Sequence, residues 1–481
     1  MEVIAQAPQP TIVCYHSIQK GGLVSLNVPS LGSLGLSVYA KSSSGAVTNP
    51  QPYQEFTPNS VDISGKNLQS YNFERSIDNF GGSFSFSVKE DIENSGRLFM
   101  DEVEPLDIIV ISESGSSNKI DFIGVVTTVS IGGIASTLNK TITISGKSIE
   151  WLFLYYNINC DIKCVKFNTS AANDYFKTDL ADKNGTTGFS IKSLIVASYN
   201  MFDKIVNGKA TDVSNFVIGD IIKTWFGDPE SFVIASDNSF KYPISSNLFT
   251  DGKINVIDYV KKLLPTPIYE IFSKLDNSGK PKIYAREAPY DNPKTEFEIN
   301  PTLLTDFTLT RTCDEVYTAF MPYIEGSSQS PAFYMNAATA EGISEKTYDS
   351  ALRNTDKVGV YGYQLLTVSF VGYNSNPATG EQTVDNDSLH ELAEKIKKWF
   401  SNLDDMYAGD FTVVNIPNEK SAGIGDWVKF AKGMFYIISE KHSWSYGDNP
   451  MINYSVTRGG EYTNGQFKRL GKLSDAYREF E

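Results

Sequence analysis

Histidines and cysteines are the first residues to consider for acid–base or metal chemistry, and this chain of 481 residues has three histidines and four cysteines. The histidines, His16, His390 and His442, lie far apart in sequence, and none belongs to a His-Glu-x-x-His motif. The sequence also lacks a Walker loop, a Gly-x-Ser-x-Gly elbow and a dinucleotide-binding fingerprint. It therefore predicts no catalytic residue and no cofactor-binding residue.

Cys160 and Cys164 are the nearest approach to a metal-binding pattern. Two thiolates supply half of a tetrahedral zinc site, and no second pair of ligands lies nearby in sequence. A spacing of four residues equally places two thiols along one face of a helix. We therefore predict no metal site.

His442 and the pair Trp399-Phe400 could each belong to a ligand site. His442 lies in a strand pattern beside Trp444, which favours a packed or hydrogen-bonded histidine over a catalytic one. Trp399 and Phe400 continue the apolar spacing of a helix, which favours core packing over a ligand platform.

Acidic residues are numerous, and Asp101-Glu102-x-Glu104 forms a cluster ahead of a strand. A solvated or contact-forming surface explains this cluster. Paired carboxylates for glycoside cleavage stay open as an alternative, because the spacing of such a pair is a spatial property.

Composition narrows the class of protein. Lys and Arg number 42 against 57 Asp and Glu, and the net charge of −15 argues against a surface that grips nucleic acid. No run of 18 apolar residues and no signal peptide pattern are present, so we expect no membrane span and synthesis in a bacterial cytoplasm. Four cysteines do not make a disulfide scaffold, and 12% aromatic residues favour β-rich structure.

The elements that would position these residues are clearest over 387–460. A helix over 388–403 is predicted from one apolar stripe, formed by Leu389, Leu392, Ala393, Ile396, Trp399, Phe400 and Leu403. Ser388 and Glu391 fit a capping box at its start. Antiparallel strands are predicted after it, broken by Gly, Asn and Pro.

An earlier segment has the same layout, which predicts an internal repeat of two β-modules. The segment beginning at Leu106-Asp107 corresponds to Gly425-Asp426, the segment from Phe122 to that from Phe435, and the segment from Thr141 to that from Asn453. Identities are few, so chance similarity between β-rich sequences stays open.

Several motifs occur in an order that resembles the baseplate hub proteins of phage tails and related contractile injection machines, the late control protein D family. The motifs are Gly279-Lys-Pro-Lys-Ile-Tyr-Ala-Arg286, Tyr361-Gly362-Tyr363, Gly425-Asp426-Trp-Val, Phe435-Tyr-Ile-Ile-Ser-x-x-His442-Ser-Trp444 and Ser455-Val-Thr-Arg458-Gly. The resemblance covers residues 59–460. No single motif is diagnostic; their order is what carries the resemblance.

The resemblance implies a structural, non-enzymatic protein. It implies a homotrimer that joins a hexameric tail tube to a trimeric central spike, with contacts to baseplate wedge and tape-measure proteins, in the baseplate of a virion or tail-like particle. Two alternatives stay open: a hub with peptidoglycan hydrolase activity, and a β-rich glycan-binding adhesin. The hydrolase would need a fused domain, and only about twenty residues follow the last predicted strand.

The fold predicted from the pattern and the resemblance is β-rich α+β, with two tube-like antiparallel β-barrel modules around a mixed region. The boundaries are an N-terminal arm over 1–58, a first module over 59–155, a middle α+β region over 156–300, a second module over 301–462 and a C-terminal tail over 463–481. The second module includes an inserted loop over 325–356 and the helix over 388–403. In the middle region we predict helices over 191–205 and 218–226 and a hairpin with its turn at Asn277-Ser-Gly279. In the first module, alternation predicts that Phe84, Phe86 and Val88 share the buried face of a strand.

Overall fold

The computed structural model describes 22 segments of the chain, which include most of both predicted β-modules. They are residues 10–15, 18–19, 22–23, 60–62, 68–89, 103–114, 119–133, 140–155, 157–158, 192, 222, 225–227, 229–235, 254–263, 267–295, 297–324, 353–370, 374–375, 382–383, 386–416, 421–463 and 466–470.

Alternating apolar and polar residues produce most of the strands. Phe84, Phe86 and Val88 alternate with serines, and all three side chains are buried on one face, as predicted. The described strands are β1 (Thr11–Tyr15), β2 (Ile18–Gln19), β3 (Gly22–Leu23), β4 (Ser60–Asp62), β5 (Leu68–Ser76), β6 (Ser83–Lys89), β7 (Ile108–Ser112), β8 (Phe122–Gly133), β9 (Lys140–Ser148), β10 (Asn157–Ile158), β11 (Val233–Ala235), β12 (Ile254–Asn255), β13 (Tyr269–Leu275), β14 (Pro281–Glu287), β15 (Phe297–Glu298), β16 (Leu304–Thr310), β17 (Ala319–Ile324), β18 (Leu365–Phe370), β19 (Asn374–Ser375), β20 (Gln382–Thr383), β21 (Tyr407–Val414), β22 (Trp427–Phe430), β23 (Gly433–Ser445), β24 (Met451–Thr463) and β25 (Gln466–Lys468).

Helices are fewer than strands in the described segments. The helices with described bounds are α1 (Leu152–Tyr155), α2 (Pro229–Phe232), α3 (Val256–Leu263), α4 (Thr355–Tyr361) and α5 (Asn386–Phe400), with 3₁₀ turns at Ile149–Trp151 and Leu403–Asp405. The protein is β-rich α+β, as the sequence predicts.

Fourteen strands form one curled sheet. Its order is β16-β21-β24-β23-β5-β6-β9-β8-β7-β1-β4, with β15, β22 and β25 attached beside this path. Both predicted β-modules contribute to this single sheet, because β23 of the later segment pairs with β5 of the earlier one.

The sheet contains two strand sets with one order. We call β5-β6-β9-β8-β7 the first set and β16-β21-β24-β23-β22 the second set. In each set the first strand pairs with the second, the second with the fifth, the fifth with the fourth and the fourth with the third. Every pairing within the sets is antiparallel.

Two irregularities recur at matching positions. The pairing between the first two strands shifts register in both sets, between Leu68 and Ser70 in β5 and between Leu304 and Asp306 in β16. The pairing between the fourth and fifth strands also shifts in both sets, between Val126 and Thr128 in β8 and between Ile437 and Ser439 in β23. Shared bulges are specific features of a fold and strengthen the repeat beyond a shared strand order.

The sequence alignment of the repeat was correct for one strand pair and wrong for two. Leu106 and Gly425 are equivalent, as predicted. The pairs Ile108–Val125 and Trp427–Tyr436 make Phe122 equivalent to Gly433 and not to Phe435. The fifth strands are likewise displaced by two residues. A displacement of two keeps every side chain on its predicted face, so alternation alone does not detect it.

Helix α5 buries the predicted stripe where its side chains are described: Ala393, Ile396, Trp399 and Phe400. It begins at Asn386, so Ser388 lies within the first turn and the predicted capping box is wrong. Trp399 contacts the ring of Tyr290, with centroids 5.1 Å apart, and the same ring contacts Trp427 of β22 and Tyr436 of β23.

The middle region contains the predicted hairpin, β13 and β14, joined by the turn at Gly279. Of the predicted loop 325–356, residues 355 and 356 instead begin α4, whose N-cap is Asn354. Predictions that lie wholly or largely outside the described residues are those for the arm over 1–58 apart from β1–β3, the helices over 191–205 and 218–226, the rest of the loop, Cys160, Cys164 and most of the tail.

Candidate assembly interface

Strand β23 joins the two strand sets. Its first part pairs with β22, and its residues 439–445 pair antiparallel with residues 70–76 of β5. Strand β24 pairs with the opposite edge of β23. Strand β23 therefore belongs to the second set, and its residues 439–445 also pair with the first set. We call the pairing of β23 with β5 the joint.

A buried carboxylate lies at the joint. Glu113, just after β7, is 3% exposed and accepts a hydrogen bond from the Tyr71 hydroxyl at 2.7 Å. Its other oxygen accepts from the Asn415 amide at 2.6 Å and lies 3.0 Å from Nδ1 of His442. The partners of Glu113 lie 42, 302 and 329 residues from it in sequence, and the fold alone brings them together.

Charge stabilises this cluster. Burial on its own would raise the pKa of Glu113. The charge of His442 and the hydrogen bonds from His442, Tyr71 and Asn415 lower it instead. Burial on its own would lower the pKa of His442, but the carboxylate of Glu113 raises it. The pair is therefore an ion pair over the pH range between these two values.

A second buried ion pair lies two residues along the joint. Nη1 of Arg75 lies 3.2 Å from Oε1 of Glu440, and Nη2 donates to the Asp121 carbonyl at 3.0 Å. The guanidinium also lies over the Phe122 ring, 5.0 Å from its centroid. Next to this pair, the rings of Phe73 and His442 stack with centroids 4.3 Å apart.

This arrangement fits a structural junction better than a catalytic site. His442 is 7% exposed and Glu113 is 3% exposed, so a substrate has no access to the acid–base pair. The prediction that His442 is packed and hydrogen-bonded is confirmed. Glu113, Tyr71, Arg75 and Asn415 were missed, because contacts between segments this distant leave no local pattern.

The motifs that carried the sequence resemblance attach other elements to the second strand set. Arg286 of β14 donates to Glu270 at 2.7 Å and to the carbonyl of Gly425 at 2.5 Å. The hydroxyl of Tyr436 donates to the same Glu270 carboxylate at 2.6 Å. Burial raises the pKa of Glu270, and the charge of Arg286 opposes that rise.

Arg458 fastens α5 to the sheet. Its guanidinium lies over the rings of Tyr290 and Phe400, at 3.7 and 4.7 Å from their centroids, and donates to the backbone carbonyl of Trp399. Nε1 of Trp399 donates to Asp291 at 2.9 Å. Arg286, which is half-buried, and Arg458, which is buried, are thus packing residues.

The remaining candidate residues do not converge. Asp101, Glu102 and His16 lie outside the described residues, and Glu104 donates its amide to Asp107 at 2.9 Å within a turn. Within the part of the chain that the structure describes, no three His, Cys, Asp or Glu side chains are placed to hold a metal. No helix of that part combines the length and apolarity needed to cross a bilayer.

Comparisons with known proteins find similarity in structure only. No family model matches the chain, and no curated protein matches it. Among solved structures, a 43 kDa tail protein of prophage MuSo2 from Shewanella oneidensis is 12% identical, with a TM-score of 0.46 over 83% of this chain and 95% of that one.

Two further structures have similar coverage. A tail protein from Neisseria meningitidis MC58 is 9% identical, with a TM-score of 0.44 over 83% of this chain and 94% of that one. The prophage tail protein gp18 from Listeria monocytogenes EGD-e is 13% identical, with a TM-score of 0.42 over 83% and 91%. All three of these structures are tail proteins.

Proposed function

We propose that this protein is the structural hub of a baseplate in a phage tail or a tail-like contractile injection machine. In this role three copies form a ring that joins a hexameric tail tube to a trimeric central spike. The ring adapts one symmetry to the other and carries the spike. The proposal includes no enzymatic activity.

The observation that carries the proposal is the pair of strand sets with one strand order and matching bulges. Two equivalent sets in each chain make six in a trimer. Six similar units around one axis present a surface that a sixfold tube can continue, while the ring as a whole keeps the threefold symmetry of a spike.

The joint supports the same role. Buried ion pairs at Glu113–His442 and Arg75–Glu440 set the two strand sets side by side in one sheet. A fixed relative orientation of the two sets is a requirement for closing a ring. The burial of the same acid–base pair weighs against the hydrolase alternative.

The experiment is a mass measurement followed by an assembly test. Light scattering of the purified chain is expected to give three copies, and incubation with a tail tube protein from the same source is expected to give a co-eluting complex. A chain that stays monomeric at micromolar concentration and binds no tube protein contradicts the proposal. The Trp399→Ala variant, which disturbs the core away from the joint, provides a comparison for general loss of structure.

A further inference from the structure

Two strand edges of the curled sheet have no partner strand in the described part of the chain. Strand β7 pairs with β8 only as far as Val125. The turn before β7, at Leu106 and Asp107, makes its backbone hydrogen bonds to β8 at Val126. Beyond that point, residues 127–133 of β8 pair with β9 alone. Strand β16 pairs with β21 alone. We call these the β8 edge and the β16 edge.

The equivalents of these two edges are paired with each other inside the chain. In the repeat, β8 is equivalent to β23 and β16 is equivalent to β5. The late part of β23 pairs with β5 to make the joint. The chain therefore contains one complete example of the contact and the two unmatched halves of a second example.

The matched bulges identify equivalent residues, so the register at the joint predicts a register for the two free edges. Directly after the bulge, Thr128 of β8 faces Ser145, and Ser439 of β23 faces Ser455, so Thr128 is equivalent to Ser439. Three residues further along each strand, Ile131 is equivalent to His442. In the pairing of the first two strands of each set, Leu309 faces Gly409 at the position where Phe73 faces Phe84, so Leu309 is equivalent to Phe73. The joint places His442 opposite Phe73.

We propose that the β8 edge of one copy pairs antiparallel with the β16 edge of a second copy. Ile131 then lies opposite Leu309 of the neighbouring copy, and Ser130 lies opposite Thr310. The pairing is head to tail, so each copy offers one edge to each neighbour, and a contact of this kind forms a ring when its rotation closes. The closure after three copies rests on the proposed function; the pairing of the two edges does not.

The side chains at the edges fit this contact. Ile131 is 40% exposed and so offers apolar surface at this edge. Leu309 is half-buried and packs on the core of the second set, so its outer surface is apolar. An exposed edge with apolar side chains is a surface on which another strand pairs readily.

The contact between copies differs from the joint in one respect. At the joint, Glu440 faces Arg75 as a buried ion pair. At the transferred positions Val129 faces Arg311, whose guanidinium lies over the Tyr407 ring at 5.4 Å from the centroid. The contact between copies is therefore more apolar and depends less on buried charge.

Cysteine cross-linking tests the register directly. Ser130→Cys with Thr310→Cys is introduced after Cys160, Cys164 and the exposed Cys313 are replaced by serine, while the buried Cys14 is kept. Residues opposite each other on antiparallel strands have Cα atoms about 4.5–5.5 Å apart, within the range of a disulfide. Mild oxidation is expected to give covalent dimers and trimers on a non-reducing gel.

The matched control is Ser130→Cys with Thr308→Cys. It moves one thiol by about 7 Å along the same strand and keeps it on the same face. We expect at least tenfold less cross-linked product. Equal or greater yield from this control means that the register is wrong.

A second variant tests the contact without cross-linking. Ile131→Asp is expected to convert the assembly to monomers in light scattering while leaving the melting temperature of the monomer unchanged, because the side chain is exposed within one copy. An Ile131→Asp protein that keeps its copy number contradicts the proposed pairing.

The outcomes separate this inference from the proposed function. A trimer by mass that fails to cross-link through residues 130 and 310 overturns the edge pairing and leaves the hub role standing. Cross-linked ladders that continue past three copies support the edge pairing and overturn the three-copy ring. A monomer that neither associates nor cross-links overturns both.

Discussion

Leu106 and Gly425 occupy the same position in two copies of one turn, with φ angles of 76° and 79°. The amide of each donates to the fourth strand of its set, at 2.8 Å for Leu106 and 2.9 Å for Gly425. The next residue is an aspartate in both copies, and Oδ2 of Asp107 and of Asp426 accepts the amide three residues before it. The turn is therefore repeated in its backbone conformation and in its side-chain bond.

The two copies of this turn differ in the space that they leave for a side chain. At Gly425 an added Cβ would lie 2.5 Å from the Phe272 ring and 2.8 Å from Nη2 of Arg286. Gly425→Ala is therefore expected to lower the free energy of unfolding by about 3 kcal/mol, from left-handed backbone strain and overpacking together. Urea unfolding measures it.

Gly447→Ala is the matched control for this substitution. Gly447 also has a positive φ, 94°, but nothing lies within 4 Å of an added Cβ. Its cost is expected to be about 1 kcal/mol, from backbone strain alone. Equal losses at both positions would mean that the hairpin of Phe272 and Arg286 does not press on the turn.

The Glu113–His442 pair predicts a pH optimum of stability. Because the pKa of His442 is raised above 6.5 in the folded protein, its contribution is fully present below pH 6.5 and is lost as the pH rises through the folded-state value. Because the pKa of Glu113 is lowered below 4.5, its contribution is present above pH 4.5 and is lost on acidification. The contribution of the pair is therefore greatest between about pH 4.5 and 6.5.

His442→Gln tests this optimum by difference. The variant is expected to lose about 3 kcal/mol relative to wild type near pH 5.5 and less at pH 9, since it leaves a buried carboxylate without its cation. Lys441→Gln, at the exposed neighbouring position, is the control and should show little change at either pH. A loss for His442→Gln that does not vary from pH 5.5 to 9 would show that the pair is not ionised.

The Arg75–Glu440 pair predicts a marked coupling between the two strand sets. Arg75→Met alone is expected to cost about 3–5 kcal/mol, because it leaves a buried glutamate without its partner. Arg75→Met with Glu440→Met should cost less than the sum of the single changes, as a double-mutant cycle would measure. Additive losses would place the two charges in independent environments.

An exposed ion pair in the same sheet provides the comparison. Lys429 and Glu298 lie 3.3 Å apart with side chains 46% and 62% exposed. Lys429→Met is expected to cost less than about 1 kcal/mol, because solvent screens the pair.

Trp399 predicts a large cost of truncation at the helix–sheet contact. It is 3% exposed and donates to Asp291, so Trp399→Ala is expected to cost about 3–5 kcal/mol in thermal or urea unfolding. Trp399→Phe keeps most of the buried ring, loses the bond to Asp291, and should cost less. Tyr446→Ala, at a side chain that is 72% exposed, is the control for removing an aromatic ring. A Trp399→Ala protein with wild-type melting behaviour would contradict the packing of α5.

Local patterns were enough to predict the strands and the late helix. Phe84 and Phe86 alternate with serines, and a half-buried strand is the conformation that buries both on one face. Trp399 and Phe400 complete a stripe at helical spacing and are buried in α5. The bounds of α5 differ from the prediction by two or three residues, because helix ends depend on bonds that the apolar stripe does not specify.

Only the tertiary structure decided how these elements meet. Alternation with a period of two cannot distinguish a repeat in which Phe122 is equivalent to Gly433 from one displaced by two residues. The register of the repeat therefore came from strand pairing and bulges. Glu113 and His442 are 329 residues apart, and neither carries a local signal of the other. The sequence by itself determined which residues alternate and which face they share, because backbone geometry is local. The tertiary structure decided which strand edges are paired and which are open, because edge pairing depends on every other strand in the sheet.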